Sequence, residues 1–328
     1  MVEYFQAFWQ TRKLVRTLSR TRRFAVVHAG NPPDILLLAA SPMRRQGTRF
    51  VFDHHDLVPE LYVDRFGAKG ALYWLSRLME LVSFRLADVV IATNESYRRI
   101  AIERGRKRPK DVFVVRNGPD LSRVHPVDPD PSLKRGKSHL VAYVGVMAPQ
   151  DGIDGALRSL ASLRRLRDDW QAIFVGGGDV FEEVVALAHE LALEDIAEFP
   201  GLLPTEDVVR ILSTADVCLA PEPKTALNDA STMIKIAEYM AVGRPIVSYD
   251  LTESRVTAAD AALYALPNNE EDFARCIHQL LEDPALRASM GEAGRRRVRR
   301  GFTWSDSEAC LLEAYEHVLS KEFRRRSK

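Results

Sequence analysis

The sequence lacks most of the features that tie a chain to secretion, structural metals or membrane insertion. Its 328 residues hold only three cysteines, Cys218, Cys276 and Cys310. They are widely separated and form no CxxC pair, which argues against a disulfide framework or a zinc site and fits a reducing cytosol. No apolar run approaches the ~20 residues that cross a bilayer. The opening MVEYFQAFWQTRKLVR lacks the basic-then-apolar order of a signal peptide, so a cytoplasmic protein is expected. Net charge is almost absent as well, +1 overall. There is no internal repeat and no low-complexity tract.

What is present is an ordinary globular composition, 46% hydrophobic and 28% charged, at a length that suggests two domains. The charge is unevenly spread. Met1 to Gly118 carries 21 Lys and Arg against 11 Asp and Glu, a net of +10, and the remainder carries 25 against 34, a net of −9. A basic first half favours an anionic partner such as a membrane surface, a lipid phosphate or a nucleic acid, unless its helices are simply solvated.

Short apolar runs alternate with helical patterns along nearly the whole chain. FAVVHA, RFVFD, DVVIA and VFVVR read as strands in the first half, with helices near 34–40, 69–86 and 95–104. HPVDPDPSLKRGKS (His125–Ser138) reads as a linker. HLVAYVG, QAIFVGGG, IAEFPG, ADVCLAP and RPIVSYD restart the alternation. Buried strands separated by helices imply parallel sheets covered on both faces. The expected architecture is therefore α/β, with two Rossmann-like domains facing a cleft. The boundaries are 1–120 and 121–302, followed by a C-terminal helix and basic tail, 303–328.

One stretch carries a polar stripe that packing does not require. In NDASTMIKIAEYMAVGRPIVSYD (Asn228–Asp250), a helix from Ser231 would set Ser231, Lys235 and Glu238 in one arc and Met233, Ile236, Ala237 and Met240 opposite. Asn228, Asp229, Ser231 and Thr232 all suit a helix N-cap. The free N–H groups there can hold a phosphate, with Lys235 as counter-ion to a diphosphate and Glu238 accepting from a ribose diol. A capped surface helix with a Lys–Glu pair explains the same residues without a ligand.

The surrounding strings resemble the retaining glycosyltransferases of family 4, which have the GT-B fold. EYMAVGRPIVSYD is similar to that family's E-A-M-A-x-G-x-P-V-V signature at the donor's ribose and diphosphate. VVRNGPD, with Asn117 and Gly118, is similar to its crossover between domains. YVGVMAPQDGID, with Gly145, stands where its glycine loop stands, and IFVGGGD with Gly177 and GLLPTEDVVRILSTADVCLAP with Leu203 follow in order. The family's glutamate eight positions before Glu238 is replaced by Ala230. The loop's Arg and Lys are replaced by Val146 and Asp151. A bacterial subgroup with LNDxSTMxKxxEYMA looks closest, and there Lys235, Ser231 and Thr232 would take over the diphosphate, with Asp229 serving the donor sugar.

VFDHHDLVPELY (Val51–Tyr62) resembles the family's acceptor-side loop, and His55 matches the histidine that approaches the donor sugar. The DHHD string also suggests a metal, but His54 and His55 near a strand end project to opposite faces. His28, at the end of a strand, is expected to line the acceptor side or to be packed. Pro59 and Glu60 are expected to shape the loop. The DPD at Asp128–Asp130 lies in the Pro-rich stretch and is rejected as a metal motif, so no metal and no cofactor is implied.

The first helix carries Phe5, Phe8 and Trp9 beside basic residues, and suits either a membrane surface or the sheet. The resemblance begins well inside the family's first domain, so the N-terminal domain is expected to be incomplete, through a misplaced translation start, a truncated gene, or a protein partner that supplies the missing half and covers the sheet edge. The reaction implied is transfer of a sugar from a nucleotide-diphosphate donor to a lipid-linked or polysaccharide acceptor with retention, and not nucleic-acid binding. The competing reading is a non-catalytic nucleotide-sugar-binding subunit or degenerate remnant that needs a partner for the missing N-terminal half. An epimerase would need acid–base carboxylates that the sequence does not place.

Overall fold

The computed structural model describes residues 2–320, with side chains from Gln6 on; Phe5's side chain and the basic tail lie outside the described residues. The chain divides into two compact units, one made of the residues up to Asn117 together with those from Ser305, the other Gly118–Trp304.

The first unit runs α1 (Val2–Thr21), β1 (Val26–Gly30), α2 (Leu36–Ala40), β2 (Arg49–His54), α3 (Val58–Phe66), α4 (Ala71–Leu86), β3 (Val89–Ala92), α5 (Glu95–Glu103) and β4 (Val112–Val114). Its four parallel strands lie in chain order, β1-β2-β3-β4, so β1 is an edge strand. Because side chains alternate along a strand, Val51, Val89 and Ile91 face one way, and there they meet Ala314 and Val318. Phe52 and His54 face the other way, against Phe84.

The second unit runs β5 (His139–Val144), α6 (Ile153–Arg164), β6 (Trp170–Val175), α7 (Phe181–Glu190), β7 (Ala197–Gly201), α8 (Thr205–Thr214), β8 (Val217–Ala220), α9 (Ala226–Ala230), α10 (Ile234–Val242), β9 (Ile246–Tyr249), α11 (Thr252–Ala258), β10 (Ala262–Ala265), α12 (Glu270–Glu282) and α13 (Pro284–Val298). Its six parallel strands are ordered β10-β9-β8-β5-β6-β7. Every residue of β6, β8 and β9 is buried. One core lies on the side of Tyr143, Phe174 and Leu219, the other on the side of Ala142, Ile173 and Cys218. This is the continuous apolar strand pattern of a doubly wound sheet.

The last helix, α14 (Trp304–Leu319), packs on the first sheet rather than standing apart as residues 303–328 were expected to. Ser307 Oγ donates to the Arg116 carbonyl at 2.7 Å, and the His317 ring meets Asp111 at 2.9 Å. The Pro-rich stretch is not a free linker either. Its backbone N–H groups at Val127 and Asp130 donate to Ser213 Oγ and Thr214 Oγ1, docking it on the end of α8 inside the second unit. The acceptor-side loop after β2 becomes α3, with Pro59 in its first turn and Glu60 paired with Arg104.

Candidate functional site

In a doubly wound sheet, ligands collect beyond the carboxyl ends of the strands where the strand order reverses. In the second unit that point lies between β5 and β8. The loops leaving these two strands are locked together by close backbone approach. A Cβ at Gly152 would strike the Pro221 carbonyl, and one at Gly176 the Gly145 carbonyl. Only glycine fits at such contacts. Hydrogen bonds from Gly145 N to the Val175 carbonyl and from Met147 N to the Gly177 carbonyl, both 3.0 Å, complete the cradle. Gly177 itself has open space beside it, bounded by Leu202, which is 85% exposed. Leu203 is partly buried against the core, so Leu202 is the residue of that pair that projects from the end of β7.

Within this cradle the structure revises the expected polar stripe. The helix does not begin at Ser231. α9 ends at Ala230, Ser231 is its extended C-cap with Oγ donating back to the Leu227 carbonyl, and α10 starts at Ile234 after Met233, whose side chain provides no cap. Thr232 Oγ1 reaches Glu253 at 3.4 Å. The sequence reading missed the break because Ser231–Met233 fits a helical arc as well as an extended one.

Lys235, expected on a diphosphate, is only 8% exposed and points into the protein. Its ammonium donates to Glu222 Oε1 at 2.6 Å and Tyr143 OH at 2.8 Å, and lies 3.7 Å from Asp151 Oδ1 and 4.4 Å from the Tyr143 ring centre. Burial is the largest single influence and would lower its pKa, but Glu222, Tyr143 and Asp151 together outweigh it and hold the ammonium raised. Burial dominates at Asp151, whose carboxyl is raised despite the nearby ammonium, so Glu222 is the counter-ion. Gly145 is required here too, because a Cβ would stand 2.9 Å from Lys235 Nζ. Glu222, in the loop after β8, was not singled out from sequence; a lone glutamate between prolines gives no period to read.

Asp229 and Asn228 also have structural employment. Asp229 accepts from Thr252 N and Thr252 Oγ1, both at 2.9 Å, which caps α11 from outside. Burial raises its carboxyl, but these bonds together with Lys224 hold it low. Each oxygen thus already serves Thr252. Asn228, 2% exposed, donates to the Gln150 and Pro223 carbonyls at 2.9 Å and ties the two loops together.

Glu238 is the exception. It sits half-buried on α10, and among the described residues nothing donates a hydrogen bond to its carboxylate. Burial raises its pKa, with Lys235 pulling less strongly the other way. A recessed carboxylate without a partner is costly unless something fills the place.

The first unit presents a second polar group at the ends of β1 and β2. The register pairs His28 with Val51 and Gly30 with Asp53, so His28 and Asp53 lie on the face that α14 covers. Asp53 Oδ2 meets His28 Nε2 at 3.0 Å and His55 Nε2 at 2.9 Å, and His28 Nδ1 meets Tyr315 OH at 2.7 Å. Burial would raise Asp53, but the two imidazoles take it down to about 2. The bond to Asp53 outweighs burial at His55 and raises its pKa. His54 does point away from His55, fully buried beside Phe84 and Tyr97. Among the described residues no three His, Cys, Asp or Glu side chains are grouped to hold a metal.

At the division between units Asn117 is exposed, and Gly118 runs so close to Phe302 that a Cβ would strike its carbonyl. The chain therefore enters the second unit and leaves it at adjacent places.

Two parallel-sheet domains of this design define the class as GT-B glycosyltransferases. The model of glycosyl transferases group 1 matches residues 125–297, more than half the chain, and that of glycosyltransferase family 4 matches residues 3–123. The chain belongs to the group 1 glycosyl transferases. It is 26% identical over 249 residues to the 2-deoxystreptamine glucosyltransferase of Streptomyces kanamyceticus, covering 73% of this chain and 62% of that protein. It is 29% identical over 281 residues to the alpha-maltose-1-phosphate synthase of Mycolicibacterium smegmatis, covering 76% and 68%. The chain thus spans roughly 58 to 68% of the length of the first curated relatives it matches. Sucrose-phosphate synthase from Thermosynechococcus elongatus superposes with a TM-score of 0.76 at 20% identity, covering 95% of this chain and 78% of that one. Anabaena HepE in complex with UDP-glucose gives 0.73 at 19% identity, covering 94% and 81%.

Proposed function

We propose that this chain transfers a sugar from a nucleotide-diphosphate donor to an acceptor hydroxyl, with retention of anomeric configuration and without a metal. The bond from the anomeric carbon to the diphosphate breaks, the bond to the acceptor oxygen forms on the same face, and the acceptor's proton leaves with the diphosphate. The observation that carries the reading is Glu238: a recessed, partnerless carboxylate four residues into a helix whose first turn has no side-chain cap, beside a glycine cradle at the switch point of the sheet. The ribose diol would donate to Glu238, and the diphosphate would lie against the N-terminal turn of α10 and the backbone N–H groups of the glycine loops. Leu202 offers an apolar surface to the base. His55 would stand by the transferred sugar. Lys235 acts indirectly, holding the loops after β5 and β8 in place. The test is calorimetric titration with UDP, GDP and their sugars. Glu238→Gln is expected to weaken the best of them about 10- to 100-fold, the loss of a hydrogen bond to a charged group. Unchanged affinity would remove the assignment.

A lipid-linked acceptor at a membrane surface is supported by the outer face of α4. On α4, Trp74 and Leu78 are 63% and 56% exposed one turn apart, and Leu72 and Leu75 are exposed as well; Phe66, the last residue of α3, is 62% exposed. Arg65, Lys69 and Arg85 are exposed on the same segment, while its one acid between Arg65 and Arg85, Glu80, is buried. An apolar, aromatic and basic face suits an anionic bilayer. Co-sedimentation with vesicles containing phosphatidylglycerol should fall several-fold in Trp74→Ser/Leu78→Ser; equal binding by the variant would discard this face.

A further inference from the structure

With the His28 ring neutral, the polar group at the ends of β1 and β2 has one consistent assignment of protons. Asp53 Oδ2 can only accept, and it faces His28 Nε2 at 3.0 Å and His55 Nε2 at 2.9 Å, so both rings carry a proton on Nε2. His28 Nδ1 then accepts from the Tyr315 hydroxyl, 2.7 Å away. Burial, and after it the Asp53 charge, raises the Tyr315 pKa and keeps that hydroxyl protonated. The order is Tyr315 O–H to His28 Nδ1, His28 Nε2–H to Asp53, and His55 Nε2–H to the same oxygen. At the free end His55 is 40% exposed, its ring lies over Gly30, where a Cβ would stand 3.6 Å away, and Nδ1 has no protein partner among the described residues. Its backbone is held as well, by His55 N donating to Asn31 Oδ1 at 2.7 Å.

We propose that Tyr315, His28 and Asp53 are positioning residues that fix the ring and tautomer of His55 and so leave its Nδ1 as the single nitrogen offered to the bound sugar. The relay is built from both ends of the chain: Tyr315 lies 287 residues beyond His28, brought there by α14. It rests on the reading of His55 as facing the donor sugar. Nδ1 accepts from a sugar hydroxyl when His55 is neutral and donates to a sugar or phosphate oxygen when it is protonated. The charged groups facing His55 are Asp53 and, more weakly, Asp56, both of which favour the protonated ring.

Nitrogen-15 NMR of histidine-labelled full-length protein reads both tautomers without any donor. The expected result is an Nε2-protonated neutral form for His28 and His55, and a His55 midpoint above that of a free imidazole. Asp53→Asn should bring that midpoint down toward the free value. Tyr315→Phe, which keeps the ring, should turn His28 into a tautomer mixture while the protein's melting temperature changes little. An Nδ1-protonated His55, or a His28 tautomer unmoved by Tyr315→Phe, would overturn the relay. Because these readings are made on the free protein, failure of nucleotide sugars to bind would sink the proposed function and leave the relay standing. If the donor binds, Tyr315→Phe should lower kcat several-fold with KM unchanged, whereas equal kcat would show that the relay does not serve transfer.

Discussion

The two units hold their polar groups by different means. At the ends of β1 and β2 the side chains hold one another, Tyr315 to His28 to Asp53 to His55, with His55 at the end exposed to solvent. At the ends of β5 and β8 the backbone does the holding, through glycines packed against carbonyls, and one buried lysine is enclosed by carboxylates. The strand orders account for the difference. Among the described residues the first sheet runs in sequence without a reversal, so it has no switch point. The second reverses between β5 and β8, and its loops part there and must be tied back. Lys235 and Glu238 concentrate the contrast within one turn of α10: the first has every partner it can use, the second has none.

The comparison breaks most readily at Lys235. Lys235→Met leaves Glu222, fully buried, with its charge uncompensated, and Glu222 Oε2 already lacks a hydrogen bond. The expected loss is about 3–5 kcal/mol from the second unit, read by urea denaturation with hydrogen exchange resolving the loops after β5 and β8. Lys235→Met/Glu222→Leu should recover most of it. A double variant that is stable and still binds the donor would establish the ion pair as scaffold. One that is stable but no longer binds would return Lys235 to the diphosphate.

How much of this was legible in the sequence follows from the same physics. The alternation of apolar runs and helices displayed the parallel sheets, because strands buried on both faces leave no other pattern. β10 escaped because AALYALP is short and rich in alanine. Glu238 could be singled out because a helical period places it, and the glycines because motifs of that kind have few other uses. Asp229 and Lys235 were assigned to the ligand because sequence shows which residues could reach a site, not which are already satisfied. Thr252 lies 23 residues beyond Asp229, and no periodicity links them. Asp53 was passed over in front of His54 and His55, yet strand parity would have placed it on the side of His28 once β1 and β2 were paired.

Asp34 tests the first unit by pH. It is 5% exposed, donor Asn31 Nδ2 stands 2.8 Å from its Oδ1, and burial, only partly offset by that bond, lifts its carboxyl to about 7. An acid raised in the folded state destabilises when ionised. Its contribution is therefore intact below the unfolded pKa of about 4 and is lost as pH rises toward 7. Asp34→Asn keeps an acceptor for Asn31 and cannot ionise. It should stabilise the first unit by about 2–4 kcal/mol at pH 8 and by almost nothing at pH 4. Equal effects at both values would show that the carboxyl is not strained by its burial.

The smallest expected change in stability belongs to Glu238, and that smallness is the point of the comparison. Its carboxyl is raised by burial and no hydrogen bond secures it. By the same sign argument, any contribution it makes is present below the unfolded pKa of about 4.3 and fades as pH rises. Glu238→Gln should therefore move the unfolding free energy at neutral pH by no more than about 0.5 kcal/mol, and in the favourable direction. The same change that weakens nucleotide binding would then leave the fold untouched or slightly firmer, which is the signature of a group held for a ligand. A loss of stability comparable to that of Lys235→Met would mean that Glu238, too, belongs to the scaffold.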